Sequence, residues 1–185
     1  MESVRAFFAL EISDDMRGRI ADLEEEVARS GADVKVVEAE NLHVTMKFLG
    51  EIPTSMVEEI AVAVEGIKAR KFELEARGAG AFPDRRVIRV IWVGVGRGDG
   101  EATEIARKLD AALERFGFQK EKRFVPHITV GRVRSQRNRD ALLRILEDHA
   151  QTVFGTTLVD RLVLKKSVLT GKGPVYTDLK VFPFE

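Results

Sequence analysis

Hydrophobic residues recur along the chain with two different periods, and the two periods alternate from segment to segment. In several segments, apolar residues run together or alternate with polar ones, which is typical of β-strands. These segments are 4–12, 33–38, 42–52, 71–82, 86–96 and 123–133, followed by two strands within 156–184 around the turn 170–174. The pattern therefore predicts a protein rich in strands.

Between the strands, apolar residues recur at the three- and four-residue spacing of amphipathic helices. The predicted helices cover 13–31, 54–70, 99–117 and 138–154. Ser13 suits the N-cap of the first helix and Gly31 its end, while Ser55 and Glu58 have the spacing of a capping box at the second. Strands and helices are thus interleaved, an order that by itself favours a parallel sheet.

Length and composition are those of a globular protein with a sizeable core. The chain has 185 residues, of which 44% are hydrophobic and 32% charged. It contains no cysteine, which excludes disulfides, cysteine zinc ligands and a cysteine nucleophile. The N-terminal segment lacks a basic leader, and no stretch approaches the roughly 18 apolar residues of a membrane span. We therefore expect a soluble, cytoplasmic protein with no membrane partner.

Basic residues are concentrated in one part of a chain whose formal net charge is +0. Between residues 120 and 144, eight basic residues face only two acidic ones. This local excess fits an anionic ligand better than general adhesion to polyanions. A solvated, arginine-rich loop and helix face would give the same pattern, and charge alone does not separate the two interpretations.

A His-Thr pattern occurs twice within matching apolar frames. His43 and Thr45 lie in "LHVTMKFLG", and His127 and Thr129 lie in "VPHITVGRV", 84 residues further on, in a chain with only three histidines. This separation is close to half of the chain. It suggests two related halves, which we expect to pack as lobes of a single catalytic domain covering residues 1–185.

Each copy of the pattern places an imidazole and a hydroxyl on the same face of a strand. Side chains two apart in a strand share a face, so His43 and Thr45 oppose an apolar face, as do His127 and Thr129. An imidazole has a free pKa of about 6.5 and can give or take a proton near neutral pH. Two such pairs around one phosphate would supply an acid, a base and hydroxyl donors for displacement at phosphorus.

Other chemistries fit the sequence less well. A single histidine on a strand is more often structural, but two copies of the pattern favour function. A catalytic zinc usually has three protein ligands, and neither strand brings a nearby carboxylate at a clear spacing, so we predict no metal and no cofactor. His149 lacks a threonine partner and is predicted to lie on the surface. The glycine-rich "GVGRGDG" lacks the spacing of a nucleotide-binding motif and is predicted to be a turn.

The ordered set of motifs resembles the 2H phosphoesterase superfamily. The motifs "HVTM" and "HITV", together with "AFPDRRVIRVIWVGV" and "KSVLTGKGPVYTDL", are similar to the RNA 2′,3′-cyclic phosphodiesterases, also called 2′-5′ RNA ligases. The similarity runs from the first predicted strand to the last. It implies a bilobal α+β fold with pseudo-two-fold symmetry, in which two mainly antiparallel sheets line a central cleft and helices lie outside. This expectation replaces the parallel sheet suggested by the element order.

The resemblance also implies an activity and roles for the two pairs. Members of this family hydrolyse RNA 2′,3′-cyclic phosphate ends to 2′-phosphate ends without a metal, and some join tRNA halves through a 2′-5′ bond. His43 matches the proton donor to the leaving 3′ oxygen and His127 the acceptor that activates water, while Thr45 and Thr129 are expected to hold phosphate oxygens. A module that binds RNA or nucleotides without turnover is the alternative from another class.

Residues outside the motifs are expected to contact the RNA. Arg132 matches a position that is commonly arginine in the family, and we expect it to bind phosphate. Arg123 and the arginines within 134–139 would steer the RNA backbone, and Phe82 would stack on a terminal base. The expected partner is RNA, with tRNA halves as one substrate, and the protein is expected to be a monomer.

Three further residues near the motifs have predicted or open roles. Strand alternation puts Phe48 on the core face, which favours packing over base stacking. Tyr176 is the only tyrosine and is predicted to pack near the junction of the lobes. Lys47 shares the face of the first motif, and the sequence leaves its role open.

Overall fold

Nine strands and four α-helices make up the computed structural model, which describes residues 1–185. The strands are β1 Ser3–Leu10, β2 Val34–Val36, β3 Val44–Pro53, β4 Phe72–Pro83, β5 Ile88–Val95, β6 His127–Val133, β7 Val153–Val159, β8 Arg161–Thr170 and β9 Gly173–Pro183. The helices are α1 Asp14–Arg29, α2 Met56–Glu65, α3 Asp99–Leu113 and α4 Arg139–Asp148, with short 3₁₀ turns at Ala39–Asn41 and Glu114–Phe116. No helix combines the length and the apolar character that crossing a membrane requires.

All paired strands run antiparallel, in the order β7-β4-β5-β6-β3-β1-β8-β9, and β2 adds to β6. The predicted α+β class is therefore confirmed, and the parallel sheet suggested by the element order is not formed. The order is symmetrical about the β6–β3 pair. We call β3, β1, β8 and β9 the first lobe and β6, β5, β4 and β7 the second lobe. The two lobes' sheets join at the centre through β3 and β6.

The symmetry extends to the connections that lead into the central strands. In the first lobe, β1 runs through α1 to β3, and in the second, β5 runs through α3 to β6. Each motif therefore follows a strand–helix unit of the same kind. Antiparallel neighbours in a sheet need no helical crossover. A helix can still lie between two such strands in the sequence, so the interleaved order is compatible with an antiparallel sheet.

Helix α1 forms where the sequence predicts it, for the predicted reason. The hydroxyl of Ser13 accepts a hydrogen bond from the backbone N–H of Met16 at 3.2 Å, which satisfies one of the open donors of the first turn. The helix ends at Arg29, and Gly31 follows in the left-handed region with φ of +75°, as expected for a glycine stop.

Helix α2 starts without the predicted capping box. Ser55 precedes the helix in a helical conformation, φ −62° and ψ −23°, and its side chain makes no capping hydrogen bond. A side-chain cap requires an extended residue at that position, so the spacing of Ser55 and Glu58 was misleading. The helix ends at Glu65, five residues before the predicted boundary at 70.

The last predicted helix is too long, and it conceals a strand. Helix α4 ends at Asp148, and the backbone N–H of Ala79 on β4 then donates to the carbonyl of His149. Pairing with β4 continues through β7, so the C-terminal region contains three strands where the sequence analysis predicted two. Tertiary pairing with a distant strand decided the structure of this segment, which local periodicity could not indicate.

The helices pack on one face of the sheet around a cluster of 38 buried apolar residues. The cluster takes residues from all four helices and from both lobes, including Val44 of β3 and Val130 of β6. Phe7 and Ala9 of β1 are buried as well but lie outside this cluster. Alternation therefore leaves a second face at the centre of the sheet, and this face carries the two motifs.

Candidate active site

The two His-Thr pairs meet on adjacent strands in the middle of the sheet. Val44 of β3 pairs with Ile128 of β6, and both are fully buried in the core. Continuing this antiparallel register by one residue in each direction sets each histidine opposite the threonine of the other motif. Side chains opposite each other on one face have Cβ atoms about 5 Å apart. The four residues in this array are His43, Thr45, His127 and Thr129.

Each imidazole is held by a hydrogen bond to the backbone carbonyl two residues upstream. Nδ1 of His43 lies 2.6 Å from the carbonyl oxygen of Asn41, and Nδ1 of His127 lies 2.8 Å from that of Val125. A carbonyl only accepts, so Nδ1 carries the proton and donates it in each case. The other nitrogen, Nε2, is then the atom that each ring presents for proton transfer.

The two Nε2 atoms differ in their surroundings. Nε2 of His43 lies 2.8 Å from Oγ1 of Thr45, whose hydroxyl donates to it. The structure gives Nε2 of His127 no hydrogen-bond partner within the protein. The first motif is therefore internally bonded, whereas the second presents an open acceptor.

Burial lowers the pKa of His43 to about 4. The nearby charges of Lys165 and Arg17 lower the pKa further, while the hydrogen bond to Asn41 and the charge of Glu11 oppose the shift. His43 is therefore neutral at pH 7 in the free protein. An anion bound beside the ring would favour the imidazolium form and raise the pKa again.

Each histidine packs against aromatic side chains. The ring of His43 lies 5.0 Å from that of Phe7 and 5.5 Å from that of Tyr176, which it meets edge-on. The ring of His127 lies 5.2 Å from that of Phe82, also at a steep angle. Tyr176 was expected only to pack near the lobe junction, but it also touches His43 and lines the cleft. Burial raises the pKa of Tyr176.

A cleft of about 350 Å³ opens on the first-lobe side of the histidine pair. Its walls include His43, Thr45 and Thr129, and they are more basic than acidic. The charged residues in the lining are Arg5, Lys35, Glu38, Arg132 and Lys172. The predicted phosphate-binding residue Arg132 therefore faces the same cavity as three of the four motif residues.

The other predicted RNA-contacting residues lie outside this cleft. Arg123 is exposed in the loop before β6 and is not part of the cleft wall. Arg139 donates to the carbonyl of Arg86 at 2.6 Å, and Arg137 donates to the carbonyl of Gly31 at 3.4 Å. Both side chains are therefore bonded to backbone carbonyls within the protein. Phe82 contacts His127 instead of lining the cavity.

Phe48 was assigned to the core face by alternation, and this prediction is wrong. The pairing of β3 with β1 shifts register twice, skipping Met46 and Leu49. A bulge interrupts the alternation of faces, so Leu49 is buried while Phe48 is 52% exposed and lines the cleft. The guanidinium of Arg5 lies 5.0 Å from the centre of the Phe48 ring.

Lys47 links β3, which carries the first motif, to α3 and to the segment that leads to the second motif. Its ammonium lies 2.7 Å from a carboxylate oxygen of Asp110 on α3, and both side chains are largely buried. The same ammonium donates to the carbonyl of Gln119, in the segment that leads to β6. Lys47 therefore anchors the approach to His127 and does not enter the cleft.

The turn that carries Asn41 is held by an arginine that the sequence analysis did not single out. The guanidinium of Arg17 on α1 donates to the carbonyls of Ala39, Glu40 and Leu42 at 3.0, 3.1 and 2.8 Å. The Asn41 amide in turn donates to the carbonyl of Pro174 on β9. No motif could have revealed these contacts, because each joins segments that are distant in sequence.

His149 is partly buried rather than fully on the surface. Its Nε2 lies 3.1 Å from the Glu26 carboxylate on α1, and its Nδ1 lies 3.1 Å from the Thr152 hydroxyl. These contacts link α4 to α1 on the helical side of the sheet. The structure contains no group of three or more His, Asp or Glu side chains arranged to hold a metal ion.

Comparison with known proteins identifies a family model that matches each half of the chain. The model, described as LigT like Phosphoesterase, matches residues 10–92 and again residues 94–176. His43 and His127 each lie 33 residues after the first residue of the match that contains them. The chain therefore carries two copies of one unit, with a motif at the same place in each.

Individual relatives cover almost the whole chain. The RNA 2′,3′-cyclic phosphodiesterase of Methanothermobacter thermautotrophicus is 38% identical over 97% of this chain and 98% of its own length. That of Aeropyrum pernix is 39% identical over 89% and 94%. Among solved structures, TT0787 of Thermus thermophilus has a TM-score of 0.80 at 26% identity, covering 97% of both chains. LigT of Escherichia coli has a TM-score of 0.77 at 26% identity, covering 100% and 99%.

Proposed function

This chain belongs to the LigT-like phosphoesterase family, and on that premise we propose that it hydrolyses the 2′,3′-cyclic phosphate at RNA ends to a 2′-phosphate. The observation that carries the proposal is the pairing of two His-Thr motifs on adjacent central strands. One strand alone would offer one titratable ring. The pair offers two rings whose Nε2 atoms can face a space that a single phosphate can occupy.

The proposed reaction is displacement at phosphorus by water. The water oxygen forms a bond to phosphorus as the bond from phosphorus to O3′ breaks. Nε2 of His127 takes a proton from the water, and Nε2 of His43 gives a proton to O3′. Exchange of both protons with solvent then restores the starting state. The product keeps its phosphate on O2′ and gains a free 3′ hydroxyl.

The asymmetry of the site supports this assignment of roles. The cleft lies on the first-lobe side, next to His43, and it is the space available for the ribose that carries the leaving oxygen. Nε2 of His127 has no protein partner and is available to an incoming water. A nucleophile that attacks in line must approach opposite the leaving group, so the acid belongs on the ribose side and the base on the other.

Three side chains are available to stabilise the charge that develops on the phosphate. The hydroxyls of Thr45 and Thr129 and the guanidinium of Arg132 line the cleft beside the histidine pair. Donors already aimed at a developing charge are usually the largest contribution to catalysis. The Thr45 hydroxyl, which bonds His43 in the free protein, would turn to a phosphate oxygen as substrate binds.

His43 must gain its proton as the substrate enters. Its pKa of about 4 in the free protein leaves it neutral at pH 7. The bound cyclic phosphate brings a negative charge next to the ring, which raises the pKa and supports protonation in the complex.

The decisive experiment uses adenosine 2′,3′-cyclic phosphate as substrate and separates adenosine 2′- from 3′-monophosphate by chromatography. We expect the 2′ product alone, with rates unchanged by EDTA. His43→Gln and His127→Gln should each lower kcat by at least about 100-fold, since a positioned acid or base contributes about 100- to 10,000-fold. His149→Gln is the matched control and should retain activity. Undiminished turnover in either motif variant would refute the assigned roles.

The same site supports a second reaction, formation of a 2′-5′ bond between RNA ends. The ring of Phe82 lies 5.2 Å from that of His127, the proposed base, and 5.3 Å from that of Trp92. A nucleoside stacked there would present its 5′ hydroxyl in place of water. Supplying tRNA halves, one with a cyclic phosphate and one with a 5′ hydroxyl, should then give a joined product. Absence of any joined product at high acceptor concentration would leave hydrolysis as the only reaction.

We also propose that one chain, residues 1–185, acts as a single catalytic domain in the cytoplasm. Both motifs belong to the same polypeptide and to one continuous sheet, which supports activity of the monomer. Light scattering coupled to size exclusion should give the mass of one chain at the concentrations used for the assay.

A further inference from the structure

The two lobes' sheets share little backbone pairing at their junction. Between β3 and β6 the ladder consists of Val44 opposite Ile128. Each strand is otherwise bound within its own lobe, because β3 pairs with β1 from end to end and β6 pairs with β5. A reaction that takes one histidine from each strand therefore depends on side-chain contacts across the junction as well.

Lys47 makes such a contact, because a bulge turns its side chain away from the cleft. Met46 is skipped in the pairing of β3 with β1, so Lys47 lies opposite Phe8. Residues opposite each other share a face of the sheet, and Phe8 is fully buried in the core. Lys47 therefore points to the helical side, and the alternation that put it on the face of the first motif is interrupted.

On the helical side, Lys47 holds α3 and the segment that leads to the second motif. Its ammonium lies 2.7 Å from Oδ1 of Asp110 on α3 and also donates to the carbonyl of Gln119. Oδ2 of Asp110 accepts from the backbone N–H of Glu121 at 3.0 Å. The side chains of Lys47 and Asp110 are 10% and 12% exposed, and shielding from water strengthens their attraction.

The segment held in this way supplies the carbonyl that fixes the His127 ring. Residues 118–126 lie in neither a helix nor a strand, so side-chain contacts such as these set their position. The chain continues from Glu121 to Val125, whose carbonyl oxygen lies 2.8 Å from Nδ1 of His127. Where that carbonyl lies therefore decides where the ring presents Nε2.

The lysine has no equivalent in the second copy of the duplicated unit. Its counterpart, 84 residues further on, is Gly131. A Cβ at Gly131 would lie 2.8 Å from Cγ1 of Val34 on β2, so β2 covers the place that a longer side chain would need. At this position a side chain reaches from β3 into the second lobe, and none can reach back from β6.

We propose that Lys47 and Asp110 are positioning residues for the base, His127. The pair fixes residues 118–126 against β3, and through them the Val125 carbonyl, so that Nε2 of His127 faces the same phosphate as His43. The inference rests on the proposed hydrolase activity. It adds the side chains that set the base of one lobe against the acid of the other.

Replacing both members of the pair separates positioning from stability. Exchange of a buried ion pair for apolar side chains of similar volume is often neutral or stabilising. The double variant Lys47→Met, Asp110→Leu should therefore melt at or above the parent's temperature. Because a displacement of about 1 Å can cost about 100-fold in rate, kcat for adenosine 2′,3′-cyclic phosphate should fall at least about 10-fold, with KM changed less than about threefold.

A single substitution tests the same pair with almost no change of shape. Asp110→Asn leaves one side-chain oxygen for two donors, the Lys47 ammonium and the Glu121 N–H. We expect kcat to fall in the same direction as in the double variant, by a smaller factor. Parent-level kcat in both variants would overturn the proposal, whatever their melting temperatures.

The ring of His127 gives a readout that needs no substrate. In NMR spectra of the double variant, the Cε1–H signal of His127 should move more than that of His43, and the His149 signal should stay in place. A fall in kcat without this movement would overturn the proposal. If the parent protein does not hydrolyse the cyclic phosphate, the proposed function fails, while the signal of His127 still tests the positioning.

The matched control is an exposed ion pair that involves the same segment. Nζ of Lys120 lies 3.5 Å from a carboxylate oxygen of Glu114, and both side chains are open to solvent. Lys120→Gln should leave kcat, KM and the His127 signal at their parent values. An equal loss in Lys120→Gln would show that any change of charge in the segment suffices, and the specific role of Lys47 and Asp110 would be refuted.

Discussion

At the scale of single residues, duplication has produced two histidines with the same backbone anchor and different environments. Each donates its Nδ1 proton to a carbonyl two residues upstream. Burial lowers the pKa of His43 to about 4, and the Thr45 hydroxyl bonds its Nε2, whereas Nε2 of His127 has no partner within the protein. The same motif can therefore play two roles, because burial and neighbouring charges determine what each imidazole does with its proton.

The pKa of His43 gives a prediction for the free protein and for its complex. An NMR titration should find His43 neutral down to about pH 4. Adding adenosine 2′-monophosphate should raise this pKa by at least about 1 unit, since an opposite charge within about 4–6 Å shifts a pKa by about 1 to 3. The His149 signal should not move. A His43 titration that ignores the ligand would contradict an anion site beside the ring.

At the scale of elements, α1 does more for the site than its place behind the sheet suggests. Arg17 projects from α1 into the 3₁₀ turn Ala39–Asn41 and binds three carbonyls around it. That turn supplies the carbonyl that fixes the His43 ring. The chain of contacts makes Arg17 a positioning residue, acting on His43 through the backbone.

Removing this guanidinium should affect catalysis more than binding. We expect Arg17→Gln to lower kcat about 10-fold with a smaller change in KM. Moving a reacting group out of its productive geometry lowers the rate of the chemical step more than it lowers the affinity for substrate. The Nδ1 proton signal of His43 should shift, and Arg17→Lys should restore part of the rate. Arg19→Gln is the control, since Arg19 forms only an exposed pair with Asp15.

A purely structural role for Arg17 would have a different signature. Arg17→Gln would then lower the melting temperature while kcat and the His43 proton signal stayed at their parent values. That result would show that Arg17 does not position His43.

Local sequence rules predicted elements well where local forces decide, and failed where pairing with a distant strand decides. Ser13 and Gly31 bound α1 as expected, because a cap and a glycine stop need only nearby atoms. Phe48 and the segment after Asp148 were misassigned, because a bulge against β1 and pairing with β4 set their conformations. The motif residues were found because their chemistry repeats, whereas Arg17 and Tyr176 have no such repeat.

At the scale of the whole molecule, two buried ionisable groups set how stability depends on pH. Glu24 on α1 is buried, one of its carboxylate oxygens has no partner, and burial, aided by the charge of Glu38, raises its pKa to about 8. The pKa of His43 is shifted in the opposite direction, since burial lowers it to about 4. The folded state resists ionising either group.

The signs of the two effects differ. The unfolded chain ionises Glu24 near pH 4.5 while the folded protein keeps its proton, so stability falls as pH rises from about 4.5 to about 8. His43 takes up a proton in the unfolded chain below about pH 6.5 but not in the folded protein, so stability also falls as pH drops from about 6.5 to about 4. The two slopes oppose each other where the ranges overlap, between about pH 4.5 and 6.5, so stability should be greatest there and lower on both sides.

Glu24→Gln tests the fall in stability that Glu24 causes as pH rises, because an amide cannot ionise. Its free energy of unfolding relative to the parent protein should increase from pH 5 to pH 8, by up to about 4 kcal/mol, because over this range the parent's Glu24 ionises in the unfolded chain but not in the folded protein. Denaturant melts at several pH values measure this difference. Glu25→Gln, on the same helix but in an exposed pair with Arg29, should run parallel to the parent. If both variants follow the parent curve, the Glu24 carboxyl ionises as freely in the fold as outside it, and neither burial nor the charge of Glu38 raises its pKa.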